Sequence, residues 1–364
     1  MKTCLIYSGG GLVAIIAIVA GVVIHLSQVP NDIAIRLDES TESIFHPQSL
    51  TPEQIATYER EGVVFIPSLL SEKESIQLRD AGEYAMSRSF SVSKLFGTSL
   101  YSGLGFDLWR TSPEVASLAL QALPKVAASI LSYSRNEQEE MEFRLLRDAM
   151  FQYKAGGAGC GWHVDDMGFW PTEEDSDGPT IWIALDEIKV AEGGGLAILN
   201  RTRFQEREPL NVTELHCRET IKVGTCNMKG LSPECHAKME ESKLEWDMKP
   251  GDAIIWNRWT FHRGVAAVRE DVNETNFVKR RYSVRYMPYG SKAGPFVHTS
   301  VRPGSYFDSP YYPQVWPRLK ESEVKALQRG LEADVPLTRV FSTMLPFTMK
   351  MMMKKVLSSI HVTN

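Results

Sequence analysis

"GCGWHVDDMGFW", residues 159–170, sets a histidine and a carboxylate two positions apart among glycines and aromatics. On a strand, residues two apart point to the same side, so His163 and Asp165 share a face while Asp166 turns to the other. The pair is either two thirds of a metal site or an accident of a polar loop, and the rest of the chain has to decide. A third donor comes from "PGDAIIWNRWTFHRG", residues 250–264, where a Gly-Asp turn leads into a strand that closes on His262. Two imidazoles and a carboxylate on one face form the donor set of non-haem iron, which leaves three positions for co-substrate and oxygen. So distant a third donor suits a barrel closed by strand pairing better than a local zinc motif. His216, His236 and His298 are competitors in less ordered surroundings.

The surroundings of the triad are β-rich. From about residue 143 the chain reads as short runs such as "TIWIALDEI", "GLAILN" and "RRYSVRYMPYG", broken by glycine, proline and charged loops. Before them, Thr51-Pro52 with Gln54, and Ser71 with Glu74, are capping boxes that open two helices, and residues 113–138 read as helical. Helices followed by short strands predict an α+β protein with a sandwich or jelly-roll core. The charged stretch 200–249 is too long for a hairpin turn and reads as an insertion, either a lid or a surface elaboration.

"VKRRYSVRY", residues 278–286, puts Lys279, Arg281, Ser283 and Arg285 on one strand face and Arg280, Tyr282, Val284 and Tyr286 on the other. A buried dicarboxylate such as 2-oxoglutarate needs a cationic partner, and Arg281 with Ser283 offers a guanidinium and a hydroxyl to one carboxylate. A solvated cationic edge strand is the alternative.

With 364 residues, 43% hydrophobic composition and a net charge of -5, the chain can bury a full core and has no general attraction for nucleic acid. Residues 5–24, "LIYSGGGLVAIIAIVAGVVI", carry no charge and are long enough to cross a bilayer, which predicts a signal anchor over 5–26, with secretory signal cleavage as the alternative. Lys2 in the short end 1–4 and the acidic residues beyond the span orient it as a type II single-pass protein of the endoplasmic reticulum or Golgi with a lumenal domain. A stem (27–48), a domain (49–330) and a tail (331–364) follow. The tail is either an amphipathic membrane-surface helix or a terminal helix packed on the domain. Cys160, Cys217, Cys226 and Cys235 are an even set suited to disulfides, with pairing open and free thiols in a cytosolic domain as the alternative, and Asn200, Asn211 and Asn273 stand in Asn-x-Thr acceptors usable in a lumen.

In this order, "LTPEQIATYEREGVVFIPSLLS", "MFQYKAGG", "WHVDD", "WIALDEI", "EGGGLAIL", "KPGDAIIW", "FHRG" and "RRYSVRY" resemble the phytanoyl-CoA dioxygenase family, from about Leu50 to Gly290. The resemblance implies a double-stranded β-helix (jelly-roll, cupin-like) with N-terminal helices packed on one sheet. It implies Fe(II) held by His163, Asp165 and His262, with 2-oxoglutarate and O2 as co-substrates, ascorbate as a candidate reductant, and Met150 and Trp182 lining the co-substrate pocket. The expected reaction is hydroxylation of an organic substrate with release of succinate and CO2. Two departures stand out. Arg201-Thr202-Arg203 replaces the family's Gly-Ser-His turn, and a longer segment after His262 leaves Lys279, Arg280 and Arg281 as rivals for the co-substrate carboxylate, with Arg281 favoured by its Ser283 partner. Aspartate at 165 argues against a halogenase, which needs that ligand position open. A catalytically inactive membrane-tethered binding protein of the same fold and a zinc hydrolase using the same triad are the competing readings.

Overall fold

The computed structural model describes residues 43–88, 103–134, 141–154, 159–165, 169–173, 177–208, 210–221, 226–266, 278–294, 301, 303–308 and 312–317. The expected membrane segment, most of the stem, the tail, Asp166, Asn273 and His298 lie outside the described residues.

Both capping boxes form. Thr51 accepts from the Gln54 N–H at 3.2 Å and donates its own N–H to the Gln54 side chain at 2.8 Å, opening helix α1 (Pro52–Glu61). Gly62, at φ 71°, ends it in the left-handed conformation that glycine adopts without strain, and strand β1 (Val63–Ile66) follows directly. Ser71 and Glu74 repeat the device before α2 (Glu72–Arg88). After β2 (Gly103–Phe106) a helical run begins with α3 (Pro113–Ser117), passes through a π turn and continues as α4 (Leu123–Ser134). By length and composition Pro113–Leu131 could cross a bilayer, but 72% of that apolar window is buried inside the fold, as expected of a core helix.

The remaining strands are β3 (Phe143–Lys154), β4 (Pro179–Ala184), β5 (Leu196–Leu199), β6 (Lys243–Leu244), β7 (Ala253–Asn257), β8 (His262–Gly264), β9 (Val278–Pro288) and β10 (Gln314–Trp316). Helices α5 (Arg201–Glu206), α6 (Glu214–Thr220), α7 (Met228–Leu231) and α8 (Pro233–Ser242) fill the stretch between β5 and β6. The large sheet runs β1-β7-β4-β9-β3-β10, with β2 also on β3, and the small sheet runs β6-β5-β8. All the described strand pairs are antiparallel.

Side-chain alternation sorts these strands into four layers. On one face of the large sheet, Ile181, Ile183, Ile255, Val284 and Tyr286 pack against α1 to α4. On the other, Val63, Trp182, Ile254 and Trp256 meet Leu196 and Ile198 of the small sheet. Beyond the small sheet, Ala197, Leu199 and Phe261 pack against Phe204, Cys217, Cys235 and Met239 of the inserted helices. The inserted helices are therefore an outer wall of the small sheet. Their entry is fixed by Arg201-Thr202-Arg203: Thr202 bonds Glu61 of α1 through its N–H (3.1 Å) and hydroxyl (2.9 Å), and Arg201 pairs with Glu214 at 3.1 Å.

The four cysteines form two disulfides, Cys160–Cys226 and Cys217–Cys235. Cys217–Cys235 is buried between α6 and α8, while Cys160–Cys226 ties the insertion to the segment that leads into His163. Asn200 is used as the N-cap of α5, its side chain accepting from the Arg203 N–H at 2.7 Å, and it is buried. A glycan there would have to displace the cap; Asn211 is exposed.

One buried carboxylate faces the helix layer. Asp148 on β3 accepts from the Tyr282 hydroxyl at 2.9 Å and the Trp109 N–H at 3.1 Å. Burial, reinforced by Asp107 and opposed by these two donors and Arg110, pushes it up to about 7. The native state thus holds this proton more tightly than the unfolded chain, in which an aspartate titrates near 4. Its contribution is intact below about pH 4, declines as pH rises toward 7 and is lost above, of order 4 kcal/mol in all. Urea denaturation should show Asp148→Asn losing less stability than the native chain between pH 5 and 8; parallel profiles would contradict this.

Candidate metal centre

His163 and His262 meet across the small sheet. Each donates its backbone N–H to the other's carbonyl, at 3.0 and 2.9 Å, which extends the small sheet beyond β8. This pairing sets the two imidazoles side by side on the inner side, ring centroids 4.3 Å apart and planes tilted by 50°. Asp165, two residues on, joins them by the strand period. One donor atom from each of the three residues lies within 4.8 Å of the others.

Each ligand is oriented by a second contact. The Nδ1 of His163 bonds the Gly161 carbonyl at 2.7 Å and that of His262 bonds the Thr260 carbonyl at 3.1 Å. A carbonyl can only accept, so Nδ1 carries the hydrogen in both rings and Nε2 presents its lone pair to the site. Burial, with His262 beside it, lowers His163 to about 3, which keeps the ring neutral. Gly161 has no room for a side chain, because a Cβ would overlap the Cys226 carbonyl.

Asp165 is held by Arg285. The guanidinium donates to Asp165 Oδ2 through Nε at 3.0 Å and Nη2 at 2.9 Å, and through Nη1 to the Ser283 hydroxyl at 3.0 Å. Thr180 adds a hydroxyl to the same oxygen at 3.2 Å. Burial by itself would raise the Asp165 carboxyl; Arg285 and the histidines override it and hold the group well below the usual carboxylate range. With Oδ2 occupied, Oδ1 faces His262 Nε2 at 3.6 Å and is the oxygen left for a cation.

The cavity over the triad is lined by Phe151, Tyr153, Phe169, Trp182, Leu196 and Trp256, with Arg285 as its cation. Trp256 lies tilted against the His262 ring, centroids 4.9 Å apart, and its buried indole N–H has no hydrogen-bond partner among the described residues. Two imidazoles with Nε2 turned to the site, an ionised carboxylate and a buried donor awaiting an acceptor fit a divalent cation with an anionic co-substrate beside it.

Of the residues expected at the co-substrate position, Trp182 lines the cavity. Arg281 is buried behind it, its guanidinium 3.7 Å from the Tyr153 ring centroid and 5.4 Å from that of Trp182. Ser283 is buried opposite Trp182 and bonds Arg285. Two expectations need correction. Met150 faces the helix layer, its sulfur beside Gly82 and its neighbours in the outer core, because alternation along β3 turns Phe151 and Tyr153 inward instead. Lys279 lies at the start of β9, donating to the Glu187 carbonyl at 2.5 Å, and Arg280 turns outward to Glu83 and Asp186. Of the aromatic residues of 159–170, only Phe169 reaches the cavity; Trp162 and Trp170 are core. His216 is exposed on α6, and His236 on α8 lies 3.8 Å from Glu240, away from the triad.

Residues 58–268 match the phytanoyl-CoA dioxygenase (PhyH) family. No curated protein matches the chain in sequence. Among solved structures, SnoK, a non-heme alpha ketoglutarate dependent carbocyclase from nogalamycin biosynthesis, aligns over 74% of this chain and 99% of its own, with 19% identity and a TM-score of 0.54. The epimerase SnoN, in complex with Fe3+, alpha ketoglutarate and nogalamycin RO, aligns over 72% and 97%, with 16% identity and a TM-score of 0.53. At such identities the likeness is one of fold, and the mixed α/β architecture with antiparallel sheets is the cupin-like fold of these oxygenases. With more than half of its length matched and the His-Asp-His triad assembled at the expected place, the chain belongs to the phytanoyl-CoA dioxygenase family.

Proposed function

We propose that the protein is an iron(II)- and 2-oxoglutarate-dependent dioxygenase that hydroxylates an organic substrate, releasing succinate and CO2. The observation that carries this reading is the convergence of His163, Asp165 and His262 at the floor of a buried aromatic cavity. Iron bound there with 2-oxoglutarate and O2 supplies the oxidising power to replace a C–H hydrogen by hydroxyl. The chain's own share is positional. Carbonyls fix both imidazole rings, Arg285 leaves one Asp165 oxygen for the metal, and Phe151, Phe169, Trp182 and Trp256 exclude water from the reacting centre. Arg281, with Ser283 and Tyr153 near it, is the cation assigned to the distal carboxylate of 2-oxoglutarate.

We place the catalytic domain in an oxidising lumen, tethered by the apolar segment 5–26, with a lipid or another secretory-pathway molecule as substrate. The two disulfides, rare in reducing compartments, support the location, and the apolar cavity wall supports the substrate class. Succinate release from 2-oxoglutarate under air with Fe(II) tests the activity. The protein should produce it and His163→Ala should not; equal production by both would remove the triad from the reaction. Conversion of a lipid extract tests the substrate, and turnover confined to polar, amino-acid-like metabolites would replace that assignment.

A further inference from the structure

The inserted helices reach the back of the metal site through Glu240. The antiparallel pairing that sets His163 opposite His262 on the inner side sets their neighbours Trp162 and Arg263 beside each other on the outer side. The Arg263 guanidinium lies 5.5 Å from the Trp162 ring. Glu240, on the last turn of α8, bridges this outer pair. Its Oε1 accepts from the Trp162 indole N–H at 2.8 Å and from Arg263 Nε at 2.7 Å, and its Oε2 accepts from Arg263 Nη2 at 3.0 Å. Lys243, at 3.3 Å from Oε2, and His236 Nε2, at 3.8 Å from Oε1, also stand beside it.

We infer that Glu240 is a positioning residue for the metal centre: by clamping Trp162 and Arg263 from outside, it fixes the spacing and tilt of the two strands that present His163 and His262 inside. A two-legged guanidinium–carboxylate contact has the directionality for this. Burial alone would raise the Glu240 carboxyl, but Arg263 and Trp162 hold it at about 2, so the clamp is charged at every physiological pH. A helix that merely covered the small sheet would need apolar contacts only, and α8 already has these through Cys235 and Met239, buried against the sheet. The Cys160–Cys226 bridge anchors the same insertion three residues before His163. The role of 200–249 is accordingly support of the ligand strands, a role absent from any reading of it as a simple surface elaboration.

The inference rests on the metal-centre reading, and equilibrium metal affinity separates the two. Competition of Fe(II) or Co(II) against a chromophoric chelator is measured for the full chain, Glu240→Ala, Glu240→Gln and, as a control on the same helix, Glu241→Ala. Glu240→Ala should weaken metal binding about 10- to 100-fold, the range typical of lost outer-sphere support. Glu240→Gln, which keeps an acceptor for one leg and loses the charge, should fall between it and the native chain, and Glu241→Ala should bind as the native chain does. The visible spectrum of the Co(II) form should shift in Glu240→Ala, a change that loss of overall stability would not produce. Native affinity in a folded Glu240→Gln and Glu240→Ala overturns the clamp and leaves the metal centre standing. A native chain that takes up no metal overturns both. Native metal uptake with the expected series but no succinate supports the clamp and overturns only the proposed activity.

Discussion

Arg285→Met is expected to destabilise the metal-free protein by about 3–5 kcal/mol, the cost of stranding one member of a buried ion pair. Asp165 and Arg285 are both almost fully inaccessible, and the guanidinium makes two contacts to one carboxylate oxygen. Without it, Asp165 keeps only the Thr180 hydroxyl and the histidines, and the buried carboxylate must either protonate or stay uncompensated. Either outcome loosens the oxygen that serves as metal ligand, so metal affinity should fall along with stability. Saturating Fe(II) should return part of the loss by binding the native state and supplying positive charge. Arg285→Lys, with charge but a single donor group, should lie between the two. Chemical denaturation with and without metal checks each point, and a variant as stable as the native chain would mean that Arg285 does not balance Asp165.

Arg281→Met should leave metal affinity intact and raise the KM for 2-oxoglutarate at least about 30-fold, since truncating one partner of a buried charged contact costs 2–5 kcal/mol. The two arginines lie on one face of β9, four residues apart, yet their neighbours divide their roles. Arg285 is engaged by a ligand carboxylate, whereas Arg281 sits against Tyr153 and Trp182, two residues of the cavity wall. Metal titration and 2-oxoglutarate saturation on the same pair of variants should therefore give opposite patterns. A co-substrate defect in Arg285→Met with an unaffected Arg281→Met would exchange the assignments.

Much of this was legible in the residues because the relevant rules are local. Both capping boxes, the strand period that puts His163 and Asp165 on one face, and the inward set Arg281-Ser283-Arg285 follow from spacing alone. The misplacement of Met150 has a local cause as well: Phe151 and Tyr153 alternate with it, and a strand cannot turn both sets inward. What the sequence left open depended on long-range partners. Two arginines on one buried strand face announce that each needs an anion, but nothing in the spacing says that Arg285 takes Asp165, 120 residues away. The even cysteine count predicted bridges, whereas pairing Cys160 with Cys226 required knowing that the insertion folds back over the ligand strand. Glu240 offered no sequence signal, since its meaning comes from two residues that become neighbours only when the small sheet forms.

The central claim is that one metal, held by His163, Asp165 and His262, creates the binding site for 2-oxoglutarate. Anaerobic titration of 2-oxoglutarate into the protein, with and without Fe(II), measures this directly. The account predicts one equivalent bound when Fe(II) is present, weak or no binding without it, and loss of the metal-dependent part in a folded Asp165→Ala. Metal uptake at the triad with no metal-dependent 2-oxoglutarate binding would contradict it and leave a hydrolytic or purely structural centre on the same fold.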